Sequence, residues 1–468
     1  MPTWTEFDSV ASLYRTPSPT SPLARQIALT KWQFRAGYAA TLALLIGLLS
    51  IHITSDWRFL HEDTGMHYSI FAYSHLVEGP AVTGYHNAYR DPKTGQIVAQ
   101  YLHHPPLLGL SLALAFKLLG TADFWVPRAL SIAYHLVMVL GVGWLAWRLF
   151  DRRRSAVLLS GALFALLPMS FYLGKAVAYP TITMCFVTIG LIFHYLAVER
   201  ILSGRNPWPL LFAALPVWFL AANAGWVAHF FLFSLGLQAL VLAWLHPGKR
   251  RVFLALFVLV GTVSVTTLAI TLWHIGLVGG QGMFAELNKA LSTKVGSRRL
   301  SAEGWSYLFN GPTNILDLFR RYYALGPALL SLYWVYKAVR LHWRTPSMQQ
   351  LWLFTFFFPG FLYVVVANEG VTIHVYYMYY LMPFVVLATV DMLYRIRDWL
   401  AALSIGRRRR FWHGFAVLAI VVTLVQSADL LHFRYSTDWT YATRRVYHLR
   451  TTFLVPPEQR EAPDTKRY

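Results

Sequence analysis

The stretch AGYAATLALLIGLLSIHI, from Ala36 to Ile53, carries no formal charge, and HEDTGMHY, from His61 to Tyr68, follows it closely. The first is long enough to cross a bilayer, which takes about 17–25 apolar residues. It is too long and too late for a secretory signal, and no small-residue cleavage site follows, so it is expected to remain as a membrane span. The second places two adjacent acids at the membrane boundary of a chain with only 21 Asp and Glu in 468 residues. A span followed at once by a polar, acidic, His-rich loop sets the reading of everything downstream.

Composition agrees with a membrane chain. Hydrophobic residues make up 56% and charged residues 13%, where a soluble domain carries roughly a quarter charged. The net charge of +20 reads as loops held on the cytoplasmic side rather than as a nucleic-acid surface, because the basic residues fall in short runs between apolar blocks. The one cysteine, Cys185, lies inside an apolar block, which excludes an intramolecular disulfide or a cysteine metal cluster.

Working outward, residues 1–35 read as a cytoplasmic tail and Ala36–Thr54 as the first span. A block at about 105–120 is short and carries Lys117. If it crossed the membrane, Arg152–Arg154 would fall outside and every later basic loop would invert with them. Laid at the interface or re-entrant, it leaves Arg152–Arg154, Arg200 and Arg205, Lys249–Arg251, Lys337–Arg344 and Arg395–Arg410 on one side, as the positive-inside rule requires. The remaining spans fall at about 126–150, 155–173, 180–198, 209–223, 226–245, 252–274, 322–340, 350–367, 376–394 and 411–431. The expected fold is therefore all-α and polytopic, with about eleven transmembrane helices and interfacial helices in the first outer loop. A membrane domain at 36–431, outer loops at 55–125 and 275–321, and a non-cytoplasmic tail at 432–468 complete the division.

The polar chemistry gathers on the outer side. Glu62-Asp63 is either one functional acid beside a structural partner, or the acidic first turn of a helix favoured by its dipole. His103-His104 precede Pro105-Pro106, residues suited to a helix's first turn, and such histidines bind metal, hold phosphate or hydrogen-bond at the interface. Tyr376, Tyr377, Tyr379 and Tyr380 read as an interfacial aromatic belt.

The order of these features resembles one superfamily. An acidic pair after the first span, an interfacial helix, Tyr101-x-His103-x-Pro105-Pro106-Leu107 opening an apolar helix that ends Phe116-Lys117-Leu118-Leu119-Gly120, then Trp125-Val126-Pro127-Arg128, Arg152–Arg154 and Tyr172-Leu173-Gly174-Lys175 are similar to the polyprenyl-phosphate-sugar glycosyltransferases of the C-type fold. The protein mannosyltransferases and lipid A aminoarabinose transferases are the members it resembles in pattern. The likeness covers about the first 200 residues; beyond them only the layout corresponds. It implies a catalytic carboxylate at Glu62-Asp63, with Asp63 preferred as base. It also implies donor-phosphate contacts from His103 or His104. Many relatives carry Asp before the proline that opens a later span, whereas this chain has Tyr179-Pro180, so that second carboxylate is absent.

Chemically, a sugar on a lipid phosphate already has a good leaving group, so the site needs a base for the acceptor hydroxyl and cations for the departing phosphate. Lys175, His103 and His104 are the expected phosphate holders, with Arg298 and Arg299, and also Arg320 and Arg321, from the second outer loop. His103, Glu369 and His374 form an alternative set for a divalent cation. The expectation is a membrane glycosyltransferase that passes sugar from a polyprenyl-phosphate donor to a lipid, glycan or protein acceptor at the non-cytoplasmic face of a bacterial inner membrane. A lipid-linked sugar flippase or other transporter is the alternative. Membrane lipids are expected partners and nucleic acid is not.

Overall fold

A computed structural model describes residues 30–55, 57, 62–81, 84–90, 97–101, 104–279, 315–342, 346–366 and 375–402, with isolated positions 288, 414, 421, 422, 424–426 and 428. These residues form helices α1 (Lys31–Ser50), α2 (Glu62–Glu78), α3 (Leu107–Leu119), α4 (Trp125–Leu149), α5 (Arg154–Leu166), α6 (Pro168–Leu173), α7 (Tyr179–Leu202), α8 (Trp208–Ala224), α9 (Val227–Leu245), α10 (Arg250–Gly279), α11 (Ile315–Tyr323), α12 (Leu325–His342), α13 (Met348–Val366) and α14 (Met382–Ala402). A 3-10 segment, Val375–Leu381, leads into α14. Strands β1 (Asn87–Arg90) and β2 (Ile97–Tyr101) pair antiparallel, Asn87 opposite Tyr101. Among the described residues the fold is helical apart from this small hairpin.

Among the described residues seven helices, α1, α4, α7, α9, α10, α13 and α14, are long and apolar enough to cross a bilayer, and the chain is an integral membrane protein. Apolar blocks become helices because a bilayer core offers no water to backbone N–H and C=O groups, which must bond within the segment. The helix α3 has 13 residues, about 20 Å of rise, short of the roughly 30 Å hydrocarbon core. It packs along α2, and the residue just before it and the start of α4 both lie at the end of the bundle that carries Glu62, as the contacts below establish.

The block expected as one helix at 155–173 is broken. Leu167 is extended (φ −72°, ψ 125°) and Pro168 opens α6. Proline has no N–H to continue the ladder, and its ring drives the preceding residue out of helical geometry. The expected span at 411–431 and the tail at 432–468 lie largely or wholly outside the described residues.

Side-chain contacts sort the helix ends onto two faces. At the first, Arg148 at the end of α4 pairs with Glu199 at the end of α7. Lys249, just before α10, bonds the Ile201 carbonyl at 2.7 Å. Tyr394 near the end of α14 takes Arg153 at 5.1 Å and Arg397 at 4.9 Å on its ring, and its hydroxyl meets Ser155 at 2.7 Å. This is the basic face, and it gathers Arg148, Arg153, Lys249 and Arg397. The opposite face holds the end of α1, the starts of α2, α4 and α7, and, among the described residues, Glu62 and His104.

Close helix crossings depend on small residues. A Cβ on Gly190 of α7 would lie 2.5 Å from Cδ1 of Trp218 on α8, and that indole is 2% exposed. Gly190→Ala is therefore expected to destabilise by about 1–3 kcal/mol through overpacking. The check is thermal unfolding of the purified protein in detergent, where an unchanged midpoint would contradict this crossing.

Candidate functional site

The end of α1 is where two cations converge. A helix leaves its last carbonyls unpaired, and they form the negative end of its dipole. Lys175, in the link between α6 and α7, donates Nζ to the Ile51 carbonyl. Arg128, in the first turn of α4, donates Nη1 to the carbonyls of Ile53, at 2.9 Å, and Ser55. Its other nitrogen donates to Glu62 Oε1 at 2.9 Å, and the Trp57 ring lies beneath its guanidinium at 4.4 Å. Arg128 is 1% exposed and Lys175 5%, so both charges are withdrawn from water and held by these partners.

Charge and burial act together on Lys175. Burial pushes its ammonium down to about 8, opposed by the nearby Glu62 carboxylate and reinforced by Arg128. His52 is held below the usual imidazole range by partial burial, then by Lys175 and Arg128. Glu62 opens α2, where an acid suits the helix dipole, so the two roles considered for the acidic pair coincide at this residue. Gly65, one turn on, lets α2 sit directly on the site. A Cβ there would be 2.8 Å from the Trp57 ring and 3.0 Å from Cβ of Val177.

His104 is buried and stacks on Tyr179 at 4.0 Å with 27° between the rings. Tyr179 continues to Tyr376 at 5.7 Å and Tyr377 at 5.8 Å, and Tyr363 meets Tyr377 and Tyr380 at 5.3 and 5.2 Å. The expected interfacial belt is thus a correction: Tyr376, Tyr377, Tyr379 and Tyr380 are buried core residues. The position that lacks the resembled family's aspartate, Tyr179, presents an aromatic floor instead. Two buried first-loop histidines, His75 and His86, are pushed down to about 4, by burial in each case, and for His86 also by the charges of His274 and His75. Both are neutral at neutral pH.

The structure therefore brings Glu62 and Lys175 together around Arg128, with His104 stacked on Tyr179 at the start of α7. Asp63 follows Glu62 on α2, but its side chain lies outside the described residues. His103, Arg298, Arg299, Glu369 and His374 also lie outside them. Arg320 and Arg321 are on the exposed surface of α11. Among the described residues no group of three or more His, Cys, Asp or Glu is placed to hold a metal ion. Arg128 had been assigned no role from the sequence. Its signal was a lone arginine inside the apolar run that opens α4, and an ionisable residue within such a run marks a site by default.

No family model matches this chain, and no curated protein matches it. Solved structures do resemble it. The oligosaccharyltransferase of Archaeoglobus fulgidus, tethered with an acceptor peptide containing the NVT sequon, superposes with a TM-score of 0.55 at 14% identity, over 86% of this chain and 55% of that one. The same organism's oligosaccharyltransferase AglB, in complex with an inhibitory peptide and a dolichol-phosphate, gives 0.54 at 14% identity, over 94% and 62%. ArnT from Cupriavidus metallidurans, bound to undecaprenyl phosphate, gives 0.48 at 16% identity, over 91% and 76%. This chain spans 55% to 62% of the length of those two archaeal chains. The likeness is one of fold, shared with the archaeal oligosaccharyltransferases.

Proposed function

We propose that this protein is a membrane glycosyltransferase that moves a sugar from a polyprenyl-phosphate donor to a hydroxyl-bearing lipid, glycan or protein acceptor. The observation that carries the reading is the cluster at the end of α1, where buried Arg128 and Lys175 stand beside the Glu62 carboxylate. A phosphate leaving group calls for fixed positive charge in a site shielded from water, and Lys175 and His104 are our assignments for that contact. The fold shared with an oligosaccharyltransferase that binds dolichol-phosphate lends support to a lipid-linked donor.

In this reading the acceptor oxygen attacks the anomeric carbon of the sugar while the bond from that carbon to the phosphate oxygen breaks. The electron pair leaves with the polyprenyl phosphate, and the hydroxyl proton passes to a carboxylate. Glu62 is committed to Arg128, so we assign the base to Asp63 and give Glu62 the task of orienting Arg128 and balancing its charge. A single displacement inverts the anomeric carbon. A divalent cation at His103, Glu369 and His374 rests on residues outside the described set. The described carboxylate of the site, Glu62, is taken by Arg128 and does not fit a cation ligand, and no step here runs through a metal.

The basic face is assigned to the cytoplasm on charge grounds, which puts the site on the periplasmic or extracellular side. A reporter fused after Arg154 is expected to read cytoplasmic, and an outside reading would overturn that assignment.

The reaction is tested with purified protein, polyprenyl-phosphate sugars and candidate acceptors. Asp63→Asn is expected to lower kcat on the order of 10²–10⁴-fold while leaving thermal stability near that of the parent. Transfer that survives unchanged would sink Asp63 as the base, and movement of an intact lipid-linked sugar without bond cleavage would indicate a transporter. Arg128→Met leaves the partly exposed Glu62 without its cation and the Ile53 and Ser55 carbonyls without their donor, and is expected to cost about 1–3 kcal/mol of stability, read by thermal unfolding.

Lys175 supplies a pH signature. Its ammonium is charged below about 8 and neutral above, so kcat/KM, which reports groups of the free enzyme, is expected to fall as pH rises through that value. Lys175→Gln is expected to lose that inflection and to raise donor KM by about 10–100-fold, the worth of one hydrogen bond to a charged group. An unshifted KM would remove Lys175 from the phosphate contact.

A further inference from the structure

His135 lies inside the membrane helix α4, two turns after Arg128 on the same face and about 10 Å further along the axis. It is fully buried, and an ionisable side chain inside a span marks a site by default. Both ring nitrogens are engaged. Nε2 meets Ser170 Oγ of α6 at 2.8 Å, and Nδ1 meets the hydroxyl of Tyr379 in the 3-10 segment. A neutral imidazole donates from one nitrogen and accepts at the other, and a hydroxyl can do either, so the three groups satisfy one another. Ser170 and Tyr379 are themselves fully buried, where such bonds are directional and costly to break.

The arm to Ser170 leads to the reaction site. The helix α6 has six residues and an extended residue, Leu167, before it. A helix so short does not hold itself together in isolation, so its place comes from what it packs on. Ser170 fastens it to His135, and the Ser170 carbonyl accepts the Gly174 N–H at 2.7 Å. Gly174 lies against the imidazole, where a Cβ would be 2.8 Å from Cγ and Cδ2 of His135. The next residue is Lys175, whose Nζ reaches the Ile51 carbonyl and is faced by Glu62, Arg128 and His52. One face of α4 therefore holds Arg128 at the end of α1 and, two turns away, the turn that delivers Lys175 to it.

We infer that His135 is a positioning residue of the reaction site: through Ser170 and Gly174 it sets where Lys175 stands at the end of α1. Tyr379 holds the ring from its other side and keeps the imidazole turned toward Ser170. The inference rests on the assignment of Lys175 to the donor phosphate.

The test uses the purified full-length protein in nonionic detergent with undecaprenyl phosphate, which carries the phosphate but no sugar to transfer. Undecaprenol, the same chain without phosphate, is the comparison, and affinities are read by native mass spectrometry. Lys175→Gln is expected to weaken undecaprenyl phosphate about 10–100-fold, and Ser170→Ala about 2–10-fold, with undecaprenol unaffected by either. Ser170→Ala added to Lys175→Gln is expected to cost nothing further, because Ser170 acts through Lys175. His135→Gln carries an amide to the place of Nε2 and is expected to bind within about two-fold of the parent. His135→Asn, whose amide ends at the place of Nδ1, should lose as much as Ser170→Ala. Equal losses in the Gln and Asn variants, the same loss for undecaprenol, or full additivity in the double variant would each overturn the positioning role. So would parental binding in Ser170→Ala while Lys175→Gln is weakened. Parental binding in Lys175→Gln would remove the phosphate contact itself, and the positioning role would fall with it.

Discussion

The buried guanidinium of Arg128 is the constraint around which the first third of the chain is arranged. Its charge is almost wholly withdrawn from water, a position tolerated only with partners and hydrogen bonds in place. Those partners are the carbonyls of Ile53 and Ser55, the Glu62 carboxylate and the face of Trp57. Satisfying them fixes the path of the chain as it leaves α1, sets where α2 begins, and anchors the start of α4 against both. Lys175 repeats the arrangement one carbonyl pair earlier and ties in the link before α7. The end of one membrane helix thus becomes a socket assembled from three others.

That arrangement makes the site an electrostatic device as well as a joint. Carbonyl ends attract cations, cations demand a counter-charge, and Glu62 provides it from the favourable end of its own helix. In the proposed reaction, the donor phosphate competes with the helix end for Lys175. The burial that depresses the Lys175 ammonium also deepens its attraction for an anion, since the interaction is less screened there.

Much of the fold was legible because a bilayer imposes long apolar blocks, and the block at 105–120 forms a helix of only 13 residues. What escaped were features decided by packing. Pro168 breaks its span after a helical turn pattern that composition alone reads as continuous. The run from Tyr376 to Tyr380 has the composition of an interface, but Tyr179 and Tyr363 pack against it and draw it into the core. In the site, Glu62, His104 and Lys175 were visible as polar residues in the right loops. Arg128 was visible as a residue but not as an organiser, because its partners lie 66 to 75 positions away and no local pattern encodes that distance.

The same separation bears on how the protein comes into being. The Lys175 contact spans 124 positions, so the α1 terminus is made long before the side chain that completes its capping exists. At synthesis rates of about 5–20 residues per second, that interval is roughly 6–25 s. Through it, the first helix must wait at the membrane boundary with its final carbonyls bonded to water, headgroups or the insertion machinery. The wet, polar loop after α1 is therefore an asset during biogenesis: it keeps an unfinished socket solvated until the fold can close it.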